Sequence, residues 1–221
     1  MRDLEKFKAM SVLKDSWSAF DRKIAEVYLD GYGHPSPRSK ELMASLLKEL
    51  YAARRFTLAD FGCGNGHLFG FFKSKDLNLS YIGYDFSTVL IEAANARYPG
   101  DSNVTFVEAD IQDPEMKGES CDIALFSHVL ETLPSPEKAL LAAKRLAPIV
   151  MVRFFEPPDH NHDLTELRMM VVGEGSQPVP YLRRSMSRGY YNYVLGATGC
   201  RRVDVHQVNG DIDQVHLLHY A

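Results

Sequence analysis

Residues 58–66 read Leu58-Ala59-Asp60-Phe61-Gly62-Cys63-Gly64-Asn65-Gly66, and their three glycines stand at alternate positions. The residues 57–61 are typical of a short buried strand, and residues 66–74 are typical of a helix. Where a strand runs into a helix through glycines, the backbone can turn tightly, approach a ligand and point helix N–H groups towards it. The stretch therefore predicts a ligand-binding turn.

The spacing of these glycines and the acidic residue ahead of them limit the ligand. G-x-G-x-G differs from the G-x-G-x-x-G of dinucleotide sites, and no Gly-Lys-Ser/Thr follows as in a P-loop. Asp60, just ahead of the glycines, would repel a phosphate and favour a cation. The glycines alone still allow a plain strand–helix turn without a ligand.

Strands and helices alternate from residue 57 onwards. This alternation is typical of a parallel sheet covered by helices on both faces. At the end of the chain, Asn209-Gly210-Asp211 lies between two alternating runs and indicates an antiparallel hairpin. Strands are predicted at 57–61, 80–84, 104–108, 122–126, 149–154, 202–208 and 214–220, and helices at 66–74, 87–97, 136–146 and 187–197.

Two segments outside this pattern are candidates for covering a site. Residues 4–29 place apolar side chains at three- and four-residue steps, and a second helix is expected from Ser36-Pro37 to about residue 53. We therefore expect residues 1–55 to form an N-terminal helical lid or substrate segment, ahead of an α/β domain at 56–221. The irregular stretch 156–180 is longer than a usual connection, so residues 156–186 are a candidate lid or substrate loop.

Polar and aromatic side chains stand where the predicted strands end. Asp85 ends the second strand, and a carboxylate there can accept hydrogen bonds from both hydroxyls of a ribose. Phe86 can lie against a nucleobase, and Asp110, after the third strand, can accept a bond from an adenine amine. Ser127 and His128 follow the fourth strand. Because ligands of open parallel sheets bind outside the carboxyl ends of the strands, we expect these side chains to converge.

In these residues the sequence resembles the class I S-adenosylmethionine-dependent methyltransferases. The resemblance covers roughly residues 57–220, and its most specific part is the glycine stretch 58–66. Residues 122–130 resemble the family's fourth-strand motif, and the terminal hairpin resembles its antiparallel seventh strand. The resemblance implies a Rossmann-like α/β fold with N-terminal helices and a seven-stranded, mostly parallel sheet that ends in an antiparallel hairpin.

The resemblance also implies S-adenosyl-L-methionine as the cofactor, bound by residues 56–221. A carboxylate at Asp60 is then physically reasonable, because it favours the ammonium group of the methionine part. The residues implied to hold the cofactor are Asp60, Gly62 and Gly64 for the methionine part, Asp85 for the ribose, Asp110 and Ile111 for the adenine, and Ser127 near the sulfonium.

Methyl transfer from a sulfonium is an in-line displacement in which the protein mainly positions the reactants, so many such enzymes need no base. A hydroxyl or ammonium substrate requires a proton acceptor within hydrogen-bond reach. From His128, Glu131, Glu156, His160 and Tyr191, we take His128, Glu156 and Tyr191 as the candidate catalytic residues. His128 also fits a packing role beside the methionine part.

Two further groups of side chains bear on ligand binding. Tyr28, Tyr32 and Arg38 are predicted to close the cofactor pocket from above, with Arg38 paired to a carboxylate. The run Asp159-His160-Asn161-His162-Asp163 has donors that suit a divalent ion. A solvated polar loop is the favoured interpretation of that run, so no metal site is predicted.

The composition of the chain indicates which classes of partner to expect. With 221 residues, a net charge of −4 and 45% hydrophobic residues, the chain suits one globular α/β domain and lacks the charge of a general nucleic-acid binder. No apolar run approaches the roughly 20 residues that span a bilayer, and no signal-peptide pattern begins the sequence. Three cysteines without a C-x-x-C pair indicate reduced thiols. We expect a cytoplasmic monomer or homodimer that acts on a small molecule, without nucleic-acid or membrane partners.

Two alternatives stay open at this point. The sulfonium has two further electrophilic carbons, so the same pocket can fold the aminobutyrate chain for intramolecular cyclisation, with release of methylthioadenosine. A second alternative is a catalytically silent subunit that binds the cofactor for a partner. The nucleoside product distinguishes the first alternative from methyl transfer, and turnover distinguishes the second.

Overall fold

A seven-stranded sheet forms the centre of the computed structural model, which describes Trp17, residues 25–26, 38–52, 54–170, 178–208, 210 and 213–221. The strands are β1 (Phe56–Phe61), β2 (Leu79–Asp85), β3 (Val104–Glu108), β4 (Ile123–Ser127), β5 (Ile149–Phe154), β6 (Leu164–Met170), β7 (Val179–Ser185), β8 (Arg202–Gln207) and β9 (Gln214–His219). The helices are α1 (Arg38–Tyr51), α2 (His67–Ser74), α3 (Thr88–Arg97), α4 (Pro136–Leu146) and α5 (Arg188–Thr198).

The strand order of the central sheet is β3-β2-β1-β4-β5-β9-β8. The pairs from β3 to β5 are parallel, whereas β9 is antiparallel to both β5 and β8. The predicted α/β fold, with seven strands and an antiparallel terminal hairpin, is confirmed.

The sheet is buried on both faces because alternate side chains of its central strands enter two different cores. Leu58, Ile123 and Leu125 belong to one core, which α1, α2 and α3 cover. Ala59 and Ala124 point the other way, into a core that α4 and α5 cover. Continuous apolar strands are what a two-sided sheet requires, since no position faces water.

Local signals in the sequence account for the helix ends. Ser87 caps α3 and accepts the backbone N–H groups of Leu90 and Ile91 on its carbonyl. Pro136 opens α4, where its missing N–H is not needed. Gly199 ends α5 in the left-handed conformation, at φ 72°.

The segment 156–186 differs from the prediction. β6 and β7 form an antiparallel hairpin outside the central sheet, so the expectation of an irregular stretch from 156 to 180 was wrong. The sequence of these two strands lacks the apolar pattern of a buried strand. The two-stranded ribbon leaves large side chains such as Leu167 and Met169 exposed. Pro180 also predicts the absence of a strand, because proline lacks a backbone N–H. In the structure it is the second residue of β7 and pairs with Met169.

Several predictions fall on residues that lie outside the described ones. The apolar stripe at 4–29 is described only at Trp17, Ala25 and Glu26, and the expected helix start at Ser36-Pro37 is not among the described residues. Over those parts of the chain that the structure describes, every helix is too short or too polar to cross a lipid bilayer.

The topology marks one place for a ligand. From β1 the chain proceeds to β2 and β3 on one side, and it then returns to β4 on the other side of β1. Adjacent connections therefore leave in opposite directions at the carboxyl ends of β1 and β4. Open α/β sheets bind their ligands in the crevice at such a point.

Candidate functional site

The turn after β1 depends on glycine at two positions. Gly62 has φ 82°, and a Cβ atom there would lie 2.7 Å from Cγ2 of Val129. Gly66 has φ 72°, and a Cβ atom there would lie 2.5 Å from Cζ of Phe106. A side chain at either position would be strained and would clash, so the tight turn before α2 requires glycine at both.

Asp85 holds this turn in place. Its Oδ2 accepts the backbone N–H of Gly64 at 2.9 Å, and its Oδ1 accepts that of Ser87 at 3.0 Å. Burial raises the pKa of Asp85, while these backbone hydrogen bonds lower it. Because each carboxylate oxygen can accept a further bond, Asp85 can fix the turn and still receive ribose hydroxyls.

Asp60 presents a buried oxygen that lacks a partner. Its Oδ2 accepts the hydroxyl proton of Tyr81, whereas its Oδ1 is buried and finds no hydrogen-bond partner among the described residues. Burial raises the pKa of Asp60 to about 7; the Tyr81 bond lowers it and the Asp85 charge raises it. A buried acidic oxygen of this kind is stabilised by a cationic donor, which fits the ammonium group of S-adenosylmethionine.

The remaining predicted binding residues lie along the same edge. The backbone N–H of Ala109 donates to the Asp85 carbonyl at 2.8 Å, which ties the end of β3 to the end of β2. The Asp110 Oδ1 atom accepts the N–H of Gln112 at 3.1 Å. The structure therefore places these predicted residues around one edge of the sheet: Phe86 and Asp110, both half-buried; Ile111, buried; and Ser127, half-buried at the end of β4. Their individual roles stay predictions.

His128 occupies an unusual backbone position next to this edge. It has φ 59°, which is rare for a residue with a side chain and often marks a functional site. Its ring stacks on Phe155, with ring centres 3.4 Å apart, and its Nε2 lies 3.1 Å from Oδ2 of Asp213. Burial lowers the pKa of His128 to about 4, the Asp213 bond raises it, and the charge of Arg153 lowers it.

One carboxylate oxygen organises the surroundings of His128. Oδ2 of Asp213 accepts Nε and Nη2 of Arg153, at 2.9 and 2.6 Å, and the hydroxyl of Ser39 at 2.8 Å. Burial raises the pKa of Asp213, but the bonds and charges of His128 and Arg153 bring it down to about 2. Asp213 is therefore an ionised acceptor, so Nε2 of His128 carries the proton and Nδ1 carries the lone pair.

The sequence carries no signal for this buried network. Ser39 and Asp213 are 174 positions apart, and Arg153 lies 60 positions before Asp213. Each residue, taken alone, is an ordinary polar residue near an element end. Only the sheet order, in which β9 inserts next to β5, brings them together.

Two glutamates shape the chain that leaves β5. Glu131 is buried, and its Oε1 accepts the N–H groups of Phe155 and Glu156 at 2.7 and 3.3 Å. Glu156 accepts the Ser185 hydroxyl and lies 3.3 Å from Nη2 of Arg183, so it anchors the β6–β7 hairpin. The Ser185 bond lowers the pKa of Glu156, which makes it a weak base.

We expect Glu131→Gln to stabilise the protein at pH 8.5 by about 2 kcal/mol, relative to its effect at pH 5. Burial raises the pKa of Glu131 to about 8 from its ordinary 4.5. Such a group contributes stability below pH 4.5 and loses it as the pH rises through 8, whereas glutamine keeps the acceptor and cannot ionise. Urea unfolding at pH 5 and pH 8.5 measures the difference. The exposed Glu108→Gln is the control, and a pH-independent effect of Glu131→Gln would contradict the expectation.

The structure describes the surroundings of Tyr191 and Arg38, whose roles stay predictions. Tyr191 is buried in the core, where its hydroxyl is 2.8 Å from Nδ1 of His216 and its ring meets Phe154 edge-on. This placement gives no support to a catalytic role, because Tyr191 lies on the buried face of α5. Arg38 is exposed and its guanidinium lies beside Gly210, towards the terminal hairpin. The predicted closing residues Tyr28 and Tyr32 lie outside the described residues.

A piece of the N-terminal segment lies over the glycine turn. The side-chain amide of Asn65 donates to the carbonyls of residues 25–26 at 3.0 and 3.3 Å, and the hydroxyl of Ser87 donates to the carbonyl of Trp17 at 2.9 Å. Trp17 also meets Tyr181 of the β6–β7 hairpin edge-on, with ring centres 5.6 Å apart. The N-terminal segment and the hairpin therefore touch each other beside the site.

The run 159–163 forms a turn at the base of the hairpin. Nδ1 of His160 bonds to the carbonyl of His162 at 2.9 Å, and Asp163 accepts the N–H of Ser187 at 3.2 Å and faces Arg184. Among the described residues, no three histidine, cysteine or acidic side chains are grouped as a metal ion requires.

Comparison with known proteins agrees with this site. Residues 59–148 match the family model of the methyltransferase domain, a range that contains the glycine turn, Asp85, Asp110 and Ser127. The chain is 28% identical over 96 residues to the ubiquinone/menaquinone biosynthesis C-methyltransferase UbiE of Campylobacter jejuni, which is 41% of this chain and 40% of that protein. It is 29% identical over 131 residues to the carboxy-S-adenosyl-L-methionine synthase of Aliivibrio salmonicida, which is 55% of this chain and 53% of that protein.

The matched segments thus span about half the length of these relatives or less. Among solved structures, the CcbJ methyltransferase of Streptomyces caelestis superimposes with a TM-score of 0.70 at 15% identity, over 94% of this chain and 99% of that one. At this identity the likeness shows the fold. The family model and the relatives thus show that residues 59–148 are similar to a methyltransferase domain, and the fold of the chain is that of solved methyltransferases.

Proposed function

We propose that this protein transfers the methyl group of S-adenosylmethionine to an oxygen, nitrogen or carbon nucleophile of a small molecule. The observation that carries the proposal is the buried Oδ1 of Asp60, which lacks a partner among the described residues and lies beside a glycine turn that Asp85 holds in place. A cationic nucleoside with a ribose satisfies both carboxylates at once, which a phosphate-bearing nucleotide would not.

Each part of the cofactor has candidate partners along the edge of the sheet. Asp60 would hold the ammonium group, and Asp85, whose oxygens accept the N–H groups of Gly64 and Ser87, would hold the two diol hydroxyls. Gly62 lets the turn pack closely against Val129, because a Cβ atom there would lie 2.7 Å from that side chain. The proposed binding residues are Asp60, Gly62 and Gly64 for the methionine part, Asp85 for the ribose, Phe86, Asp110 and Ile111 for the adenine, and Ser127 near the sulfonium.

His128 is the proposed residue that orients the substrate. When bound, the cofactor supplies an electrophilic methyl group on a positively charged sulfur. The Nδ1 lone pair of His128 accepts a hydrogen bond from the nucleophile, and the Asp213 bond keeps the ring in the tautomer that has this lone pair. With a pKa lowered to about 4, His128 acts mainly as a positioning acceptor, and it takes up a proton only as the nucleophile becomes acidic during transfer.

The lid role expected for residues 1–55 and 156–186 is part of this proposal. Asn65 connects the cofactor turn to residues 25–26, and Trp17 contacts Tyr181 on β7. Arg183, also on β7, stacks over Phe155 at 4.4 Å from the ring centre, so the hairpin contacts the same ring on which His128 stacks. A cover built from both segments would exclude water from the transfer step.

The names of the relatives support a small-molecule substrate. UbiE is named for ubiquinone and menaquinone biosynthesis, which supports a small-molecule substrate here. A monomer or homodimer, a cytoplasmic location and the lack of a nucleic-acid partner stay predictions.

A second candidate function is a reaction of S-adenosylmethionine that transfers no methyl group. The match to a carboxy-S-adenosyl-L-methionine synthase over 131 residues favours it, since that protein is named for making a derivative of the cofactor. Intramolecular cyclisation with release of methylthioadenosine belongs to the same class. The pocket residues discussed above suit all these reactions equally, because the reactions share one cofactor.

Incubation of the purified protein with S-adenosylmethionine and a metabolite extract is expected to yield S-adenosylhomocysteine, detected by mass spectrometry. His128→Asn is expected to lower this yield by about a hundredfold, because asparagine tolerates the left-handed backbone but lacks the ring acceptor. Its affinity for the cofactor, measured by calorimetry, is expected to stay within about threefold.

The product decides between the candidate functions. Methylthioadenosine, or a carboxylated cofactor, in place of S-adenosylhomocysteine would overturn methyl transfer and favour the second candidate. Tight binding without any product in several extracts would favour the silent-subunit alternative. Asp85→Ala serves as the control that removes cofactor-dependent turnover.

A further inference from the structure

The strand β6 has an edge that is open to another strand. It pairs with β7 in a two-stranded ribbon, and within the described part of the chain the backbone groups on its other edge have no hydrogen-bond partner. The strand β7, in contrast, lies beside the short 3-10 helix Leu130–Thr132. A row of unpaired N–H and C=O groups along an edge strand is a template for pairing with a further strand.

The side chains of β6 do little to protect this edge. Proteins commonly protect an open edge with lysine, proline or a bulge, but β6 contains neither lysine nor proline. Its register with β7 also runs without a break from Leu164 to Met170. Three of its side chains are large, apolar and exposed: Leu164 at 45%, Leu167 at 60% and Met169 at 55%. Such a concentration of exposed apolar side chains indicates a surface that another molecule covers.

The charged residues of β6 identify that molecule as a second copy of this chain. Glu166 and Arg168 lie on one face of the strand, on either side of Leu167, and Nη2 of Arg168 lies 2.7 Å from Oε2 of Glu166. Both side chains are about two-fifths exposed, so they can also meet charges on a neighbouring strand. Because their signs are opposite, the same pair of residues on an antiparallel copy presents the complementary charges.

Symmetry and charge together select one register. Two copies of a strand can pair antiparallel only around a twofold axis at which one residue faces its own copy, because opposite residues must point to the same face. An axis at Glu166 or at Arg168 would place like charges directly opposite each other, which is destabilising. An axis at Leu167 places each glutamate opposite an arginine. The two copies of Leu167 then face each other, and Met169 faces Thr165 of the second copy.

We propose that β6 pairs with β6 of a second copy of this chain, antiparallel about Leu167, in a four-stranded sheet that crosses a homodimer. The strand order of that sheet is β7 and β6 of one copy, followed by β6 and β7 of the other. Arg183 on β7 contacts Phe155, so the same hairpin joins the interface to the ring on which His128 stacks. The inference concerns an interaction surface and does not depend on the proposed function.

Sedimentation velocity of the full chain, over a concentration series up to about 0.1 mM, tests the interface. We expect the wild-type protein to dimerise within this series. Glu166→Arg places positive charges opposite positive charges, and Arg168→Glu places negative charges opposite negative charges. Each variant is therefore expected to raise the dissociation constant about tenfold or more. Glu92→Arg, at an exposed position on α3, is the control for a change of charge elsewhere.

An equimolar mixture of Glu166→Arg and Arg168→Glu is the most specific measurement. In the mixed dimer each positive pair faces a negative pair, so we expect the mixture to recover a dissociation constant within about threefold of the wild-type value. Leu167→Lys, which places a charge opposite its own copy, is a further variant that is expected to be monomeric. These side chains are exposed, and circular dichroism checks that each variant is folded.

Three results would overturn the proposal. The first is a wild-type protein that stays monomeric throughout the series. The second is a dimer whose dissociation constant neither charge variant nor Leu167→Lys changes, since that dimer would use another surface. The third is a loss of the dimer in both charge variants without recovery in their mixture, because the two residues would then not face each other. The wild-type series is decisive even if a variant does not fold.

Discussion

Replacing Arg153 with methionine is expected to lower the free energy of unfolding by about 3–5 kcal/mol. Arg153 is 4% exposed, and both its Nε and its Nη2 donate to Oδ2 of Asp213. Methionine fills much of the same volume, so the main loss is the partner of a buried carboxylate. Removal of one member of a buried ion pair leaves the other charge desolvated, and this penalty exceeds the gain from apolar packing.

A double-mutant cycle isolates this pair from other effects. Asp213→Asn removes the charge and keeps an oxygen that can accept the protons of Ser39 and His128. We expect the double variant, Arg153→Met with Asp213→Asn, to recover a large part of the stability that Arg153→Met loses. Urea unfolding followed by circular dichroism gives the four free energies, and exposed Arg201→Met is the control. Strictly additive losses would show that the two residues do not act as a pair.

Replacing Asp85 with alanine is expected to weaken the binding of S-adenosylmethionine by about 3 kcal/mol, a factor on the order of 100. Two effects combine in this value. The ribose loses a charged acceptor for its hydroxyls, and Gly64 loses the carboxylate that holds its N–H at 2.9 Å. The second effect means that the turn itself becomes less ordered before any ligand arrives.

Asp85→Asn separates these two contributions. Asparagine keeps one oxygen as an acceptor, so it can preserve either the hydrogen bond to the turn or one bond to the ribose. We therefore expect Asp85→Asn to lose some affinity for the cofactor, but less than Asp85→Ala loses. Titration calorimetry measures both variants, and Glu92→Ala, an exposed acidic residue on α3, is the control. If Asp85→Ala binds the cofactor as tightly as the wild-type protein does, the ribose does not bind at Asp85.

The sequence allowed the central architecture and the cofactor edge to be predicted because their signals are local. The glycine turn needs open backbone at Gly62 and Gly66, and both have the left-handed φ that such spacing suggests. Short apolar runs predicted the strands, and Ser87 and Pro136 predicted where two helices begin. Asp85 was predictable as a residue at a strand end, although its bond to Gly64 was not.

The parts that were missed depend on contacts between distant residues. The hairpin β6–β7 carries exposed apolar side chains and a proline, so it lacks the pattern of a buried strand. Tyr191 was a catalytic candidate on the basis of its residue type, yet α5 places its side chain in the core against Phe154. Lys40 and Arg38 are equivalent by charge, and only the packing of α1 distinguishes the buried one from the exposed one.

The position of Asp213 has a consequence for how the site assembles during synthesis. His128, Arg153 and Ser39 all emerge from the ribosome before residue 213, and β9 must then insert between β5 and β8 to deliver the shared carboxylate. A nascent chain that ends before this strand can already form the glycine turn and its contact with Asp85. Its histidine, however, lacks the bond that selects the tautomer, so the ability to hold a nucleoside matures earlier in translation than the ability to orient a substrate.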